Sequence, residues 1–170
     1  GTNLIHMAKA FCKDQAAWRE ISRINRLKPP YTIYYTKQLM IPRSFLATET
    51  VSGTVASVHG DVFWLENGQN NRKVQKGDPV NEGAAIRTGP DAFTQIIFPN
   101  HKYIRIAPDS EFSLIYLFKL RDGSILMDSK LNSGRVIHTI RRKLGVNEDY
   151  KARTPVCVTG VRGTEFRLKS

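Results

Sequence analysis

The chain has 170 residues, enough for one ordinary domain or a small module beside a larger one, and an apolar fraction of 41% that supports a real core. Its net charge of +11 raises the question of an acidic partner, yet the excess is spread: residues 1–50 carry 8 basic and 3 acidic side chains, residues 51–170 carry 18 and 12. No apolar run nears the roughly 20 residues of a membrane helix, and Cys12 and Cys157 match no metal or redox spacing, which leaves both expected as free, mostly buried thiols.

Residues 3–25 read as helix, with Leu4, Met7, Ala8 and Phe11 on one 3.6-period face and Asn3 as the N-cap. A break near Lys13 and Asp14 admits a second helix, whose apolar side is Ala17, Trp18, Ile21 and Ile24, with Asp14 as its cap. The segment "LKPPYT" stops the helical pattern, because proline donates no backbone amide. "KQLMIP" alternates and reads as a short strand, and residues 43–50 read as a linker.

From Val51 the period changes. Short β-rich runs follow one another: "VSGTVASV", "DVFWLE", "AIRT", "FTQIIF", "YIRIA", "EFSLIYLF", "SILMD", "GRVIHTI", "VCVTGV" and "TEFRL". Glycine and aspartate turns such as "HGD", "KGD", "TGPD" and "RDGS" separate them. The chain therefore reads as a small α+β module of helix–helix–strand at 1–42, a linker at 43–50, and an all-β domain of many short strands at 51–170, a sandwich or solenoid-like unit.

Enzyme chemistry needs a nucleophile with its base, paired carboxylates or a metal constellation. His6, His59, His101 and His138 stand alone and read as surface or turn residues, and no phosphate-cradling loop is present. No enzyme activity, metal or cofactor is expected. "GVRG", residues 160–163, matches the glycine-x-x-glycine loop of KH modules, but β-rich sequence flanks it where helices are required, so nucleic acid is only a minor reading.

The order Gly1-Thr2-Asn3-Leu4, then Ala8, Phe11, Trp18, Asn25, Leu27, Ile33, Leu39, Ile41 and Pro42, resembles the LysM domain. LysM domains run strand–helix–helix–strand, so the resemblance implies a first strand that is missing here. It also implies binding of peptidoglycan or a chitin-like N-acetylglucosamine glycan. By position, Thr2, Asn3 and Leu4 would form one wall of the groove, and Leu27, Pro29, Pro30 and Tyr31 the other. Thr2 stands where the family usually has an acid, and Tyr35-Thr36-Lys37 lacks the usual glycine of its turn.

The β-rich half resembles the FecR domain. The matching pieces are "VQKGDPVNEGAAIRTGPDAFTQIIF", "YIRIAPDSEFSL", "SGRVIHTI" and "ARTPVCVTGVRGTEF". FecR domains are known as periplasmic parts of regulators that relay iron-siderophore status to sigma factors. The resemblance implies an extracytoplasmic, non-enzymatic β module. In its last motif Arg162 falls in phase with Val156, Val158, Phe166 and Leu168, between Gly160 and Gly163. An inward guanidinium needs its donors met, so Arg162 is expected to be structural, satisfied by turn carbonyls or by Asp78 or Asp109. The whole reads as a bacterial envelope protein, periplasmic or at the cell surface. It would be held to peptidoglycan by the first module, with the second as scaffold or protein-interaction surface. The alternative is an extracytoplasmic signalling or sensor subunit that binds an envelope protein. The chain opens abruptly and shows no signal-peptide pattern, as if cut from something longer.

Overall fold

The two periodicities of the sequence become two units. The computed structural model describes residues 2–34, 38–140, 148–156, 158–160 and 164–169. One unit comprises residues 1–49 with 120–124, the other residues 50–119 with 125–170.

In the first unit, strand β1 (Thr2–Asn3) leads into helix α1 (Leu4–Phe11). A 3-10 turn (Gln15–Ala17) opens helix α2 (Trp18–Ile24), and strand β2 (Thr32–Ile33) closes the set. Asn3 caps α1, its Oδ1 accepting from the Ile5 amide at 2.8 Å. Asp14 caps the 3-10 turn through the Ala16 amide at 2.8 Å rather than α2 itself. The 3.6-residue spacing turns Leu4, Ala8, Cys12 and Ile21 inward, where they meet Ile33.

Three expectations change here. The first strand, expected to be missing, is the two-residue β1, paired antiparallel with β2 as Thr2↔Ile33 and Asn3↔Thr32. "KQLMIP" contributes no strand among its described residues 38–42. Its backbone is pinned instead by one side chain. Asn25 Oδ1 accepts from the Met40 amide and Asn25 Nδ2 donates to the Met40 carbonyl, both at 2.7 Å. Residues 43–50, read as a linker, hold a 3-10 turn (Arg43–Phe45) and strand β3 (Thr48–Thr50). Lys13 N donates to the Phe45 carbonyl and Ala47 N to the Phe11 carbonyl, both at 2.8 Å, so this segment is bonded to the end of α1. Half-buried Phe45 packs on the same core.

The second unit is a sandwich. Its strands are β4 (Gly53–His59), β5 (Val62–Glu66), β6 (Gln69–Lys73), β7 (Pro79–Val80), β8 (Ala85–Thr88), β9 (Phe93–Phe98) and β10 (Lys102–Ile106). They continue with β11 (Glu111–Leu120), β12 (Ile125–Ser133), β13 (Arg135–Ile140), β14 (Asp149–Arg153), β15 (Val158–Gly160) and β16 (Thr164–Lys169). One sheet runs β16–β13–β10–β9–β4–β7, the other β15–β14–β12–β11–β8–β5–β6. Neighbouring strands are antiparallel except β12 and β14, which run parallel. Alternating apolar residues from both sheets, among them Ile96, Ile104 and Val136 from one and Ile86, Leu114 and Met127 from the other, form a single core. That shared core makes the unit a sandwich and not a solenoid.

The β12–β13 corner depends on Gly134. Its φ is +89°, and a Cβ there would lie 2.3 Å from Ser110 Oγ and 2.5 Å from the Asp109 carbonyl oxygen. Ser110 Oγ fills that space, donating to the Arg135 carbonyl at 3.2 Å and accepting from the Arg135 amide at 2.9 Å.

Candidate ligand-binding site

Chain order sends the start of α1 and the segment after α2 to the same place. Strand pairing of β1 with β2 brings them together, and two further bonds fasten them. The Leu4 amide donates to the Tyr31 carbonyl at 3.0 Å. Asn3 Nδ2 donates to the Pro30 carbonyl at 3.1 Å. Tyr31 takes a left-handed φ of 59°, which a non-glycine residue holds only when its neighbours fix it. Here its amide is bonded to the Lys28 carbonyl at 2.9 Å, and its ring lies 5.1 Å from that of Trp18.

The residues expected to line a glycan groove thus gather at one place, but not in equal roles. Thr2, Pro29 and Pro30 are exposed, while Asn3, Leu27 and Tyr31 are half-buried. Leu4 is a core residue with 0% of its surface exposed, so its side chain is not a groove wall. The helix-start amides of Leu4 and Ile5 are bonded within the unit and offer no free donors to a ligand. Leu27 is held by a reciprocal pair with Ser22, amide to carbonyl at 2.9 Å and hydroxyl to carbonyl at 3.2 Å. Trp18, read from its spacing as core, is half-buried against Tyr31 and adds an aromatic edge beside the expected residues.

In the second unit the interior holds polar groups that surface-directed reading overlooks. His138 is a correction: it is not a surface residue but 1% exposed, hydrogen-bonded through Nδ1 to the Tyr150 hydroxyl at 2.5 Å. Burial pushes its imidazole down from 6.5 to about 3 and raises the Tyr150 phenol. On the neighbouring strand Lys102 is buried on the inner face, and its Nζ lies 3.5 Å from Glu148 Oε1. That oxygen also accepts from Asn100 Nδ2 at 2.5 Å. A signal for both was present in the sequence. Lys102 is in phase with Ile104 and Ile106, and His138 with Val136 and Ile140. Among the described residues, no group of three or more His, Cys, Asp or Glu side chains is arranged to hold a metal, and no helix is long and apolar enough to cross a membrane.

Arg162 and Gly163 lie outside the described residues, as does Cys157; Gly160 ends β15, paired with Lys151. Cys12 is a free, buried thiol whose pKa burial raises. Val156, expected to point inward with Arg162, is 93% exposed in a bend before β15, because the strand begins only at Val158 and the period-two phase does not extend back through the bend. Of the two carboxylates named as partners for Arg162, Asp78 is engaged elsewhere. It accepts from Trp64 Nε1 at 2.9 Å, Arg72 at 2.8 Å and the Gln75 amide at 3.1 Å. Those bonds, Trp64 first, hold its carboxyl below the usual carboxylate range.

A protein-family model described as FecR protein matches residues 84–170, just over half of the chain. The match opens one residue before β8 and runs through β16, entirely beyond the helical segment. No curated protein and no solved structure matches the chain.

Proposed function

Because this chain belongs to the FecR protein family, we propose that its β-rich unit is an extracytoplasmic, non-enzymatic signalling or sensor module that works by binding a partner protein. The family match over residues 84–170 carries this reading. The sandwich suits it. Its inner faces are closed around one core, which leaves outer sheet faces and edges as the surfaces on which recognition can occur. The test is cross-linking of the tagged full chain in living cells of the source organism, followed by fractionation. The expected result is one protein enriched with the tagged chain in the envelope fraction. Recovery from the cytosol with no enriched protein would remove the reading.

A second reading concerns the helical unit. The β1–α1–α2–β2 order is what favours a LysM-like glycan-binding module, with Thr2, Asn3, Leu27, Pro29, Pro30 and Tyr31 as its contact residues. A shallow site of this kind buries little area, so N-acetylglucosamine oligomers would bind with Kd of about µM to mM. The chain's positive charge would add attraction to acidic wall peptides only at contact range, given screening over about 8 Å at physiological salt. NMR titration with chitin oligomers and muropeptides, beside a pull-down on purified sacculi, decides it. Absence of shifts around Thr2 and Tyr31 at millimolar ligand leaves the unit as a packing module.

A further inference from the structure

The two outer faces of the sandwich differ in how their charges are matched. On the sheet built around β11 and β12, Arg153 grips Asp128, Lys151 pairs with Asp149 at 2.8 Å and Arg87 with Glu111 at 2.9 Å. Three basic side chains on that face each hold a carboxylate, while Lys130, opposite Arg153 in the β12–β14 register, makes no ion pair among the described residues. The other face, on the sheet built around β9, β10 and β13, has no ion pair made by an outward side chain of those three strands among the described residues. Its cross-strand register sets Ile97 opposite Tyr103 and Tyr103 opposite Thr139. The next row sets Gln95 opposite Arg105 and Arg105 opposite Ile137. Arg135 follows on β13, and β16 places Glu165, Arg167 and Lys169 opposite Thr139, Ile137 and Arg135, so that strand adds two bases and one acid and the row keeps a net positive charge. Among the described residues, neither Arg105 nor Arg135 has a carboxylate partner.

Both arginines are exposed, and Ile97 beside them is 41% exposed. Arg105 is held along the surface by Phe93, its guanidinium carbon 4.6 Å from the ring centroid. Phe93 is in turn stacked on His59 at 5.1 Å and 19°. A guanidinium held by its flat side keeps its N–H fork directed outward, the geometry that recognises a carboxylate.

We propose that this outer face docks an acidic segment of the partner protein, with carboxylates on Arg105 and Arg135 and an apolar side chain set among Ile97, Tyr103 and Ile137. The inference rests on the reading of the β-rich unit as a partner-binding module and names the surface. Unmatched positive charge gives orientation and encounter rate, and the apolar row gives the buried centre. A nucleic acid fits less well. Phe93 is already engaged by His59 from one neighbouring strand and Arg105 from the other, and Tyr103 sits between Ile97 and Thr139, so the described residues of this face offer no series of rings on which successive bases could stack.

The probe is a synthetic peptide of alternating glutamate and leucine, titrated into the full chain and followed by amide shifts and fluorescence. A lysine–leucine peptide, an oligothymidylate and phosphatidylglycerol vesicles serve as comparisons. Shifts are expected to centre on Ile97, Tyr103 and Arg105. Reversal by Arg105→Glu with Arg135→Glu is expected to weaken the acidic peptide by about tenfold or more and to favour the basic one, with melting unchanged. Should the double variant not fold, Arg105→Gln alone should weaken binding about threefold, since a neutral amide keeps hydrogen bonds but loses the ion pair. Unchanged affinity, shifts on the other sheet, or tighter binding of the oligonucleotide or vesicles would overturn the proposal. Photo-crosslinkers at Ile97 and at Ile115, which is on β11 of the other sheet and 44% exposed, separate the two readings in cells. A protein captured from Ile97 and lost on Arg105→Glu supports this face. Capture from Ile115 alone overturns it and leaves partner binding standing; capture from neither removes both.

Discussion

His138 shows how one buried side chain ties the fold to pH. The folded protein keeps its imidazole neutral down to about pH 3, whereas an unperturbed histidine takes up a proton near 6.5. The unfolded state therefore binds more protons throughout that window. Its contribution to stability is full above pH 6.5 and falls as pH drops toward 3, by about 1.4 kcal/mol per pH unit. Between pH 6.5 and 5, above the carboxylate range, a urea series at each pH should reveal this slope, and His138→Gln should flatten it. The imidazole resonances should not titrate in that interval. Asn25 acts differently, by satisfying backbone. Its amide holds both Met40 groups and also donates to the Ile21 carbonyl at 2.8 Å. Asn25→Ala should cost about 1–2 kcal/mol, because it removes two hydrogen bonds to the Met40 backbone, while the Ile21 carbonyl keeps the backbone amide of residue 25. Thermal melting measures the loss, and exchange of the Met40 amide should speed up in the same variant.

At the scale of elements, apolar alternation made most of the sandwich strands readable, and its absence hid the others. β8 and β9 coincide with the runs "AIRT" and "FTQIIF". β6, "QNNRK", shows no strand pattern in the sequence because every residue in it is polar and exposed, and its strand state comes from pairing with β5. β14, "DYKAR", offers only Tyr150 and Ala152 as inward residues, and its parallel alignment on β12 is a long-range pairing that local pattern does not encode. Corners behave similarly. Gly134 reads as one of many turn glycines, yet its left-handed φ and the Ser110 hydroxyl occupying its Cβ position make it demanding. Gly134→Ala should destabilise the β-rich unit by about 1–3 kcal/mol from backbone strain alone, with further loss as Ser110 is displaced. Gly68→Ala, at φ +78° with nothing within 4 Å of the added carbon, carries the strain without the clash and should melt higher. A reversed order would mean that the corner is not close-packed.

For the whole molecule the charge of +11 is the property most open to misreading. The ion pairs, such as Arg153 with Asp128 and Arg87 with Glu111, are already counted in that net figure, and the excess itself is spread along the chain, 5 of it in residues 1–50 and 6 in residues 51–170, with no single long basic run. Duplex DNA should consequently bind weakly and without selectivity. The affinity should fall linearly in log salt and be lost near physiological ionic strength in a fluorescence titration. A nanomolar, structure-selective complex at that salt would show that the excess serves nucleic acid after all.

By itself the sequence determined the division of periods at about residue 50, the α1 cap at Asn3, ten of the strand positions and the family motif, because these follow from local spacing and turn chemistry. Tertiary structure decided which in-phase residues lie inside. Lys102 and His138 are buried because a second sheet covers their face, while Val156, apolar and in phase, stays outside because no strand includes it. It also decided that Leu4 is core while Thr2 and Pro30 remain accessible, and that Arg87, Lys151 and Arg153 on one sandwich face hold carboxylates while Arg105 and Arg135 on the other have none among the described residues. Periodicity states which residues share a face; only packing against a distant segment states what covers that face.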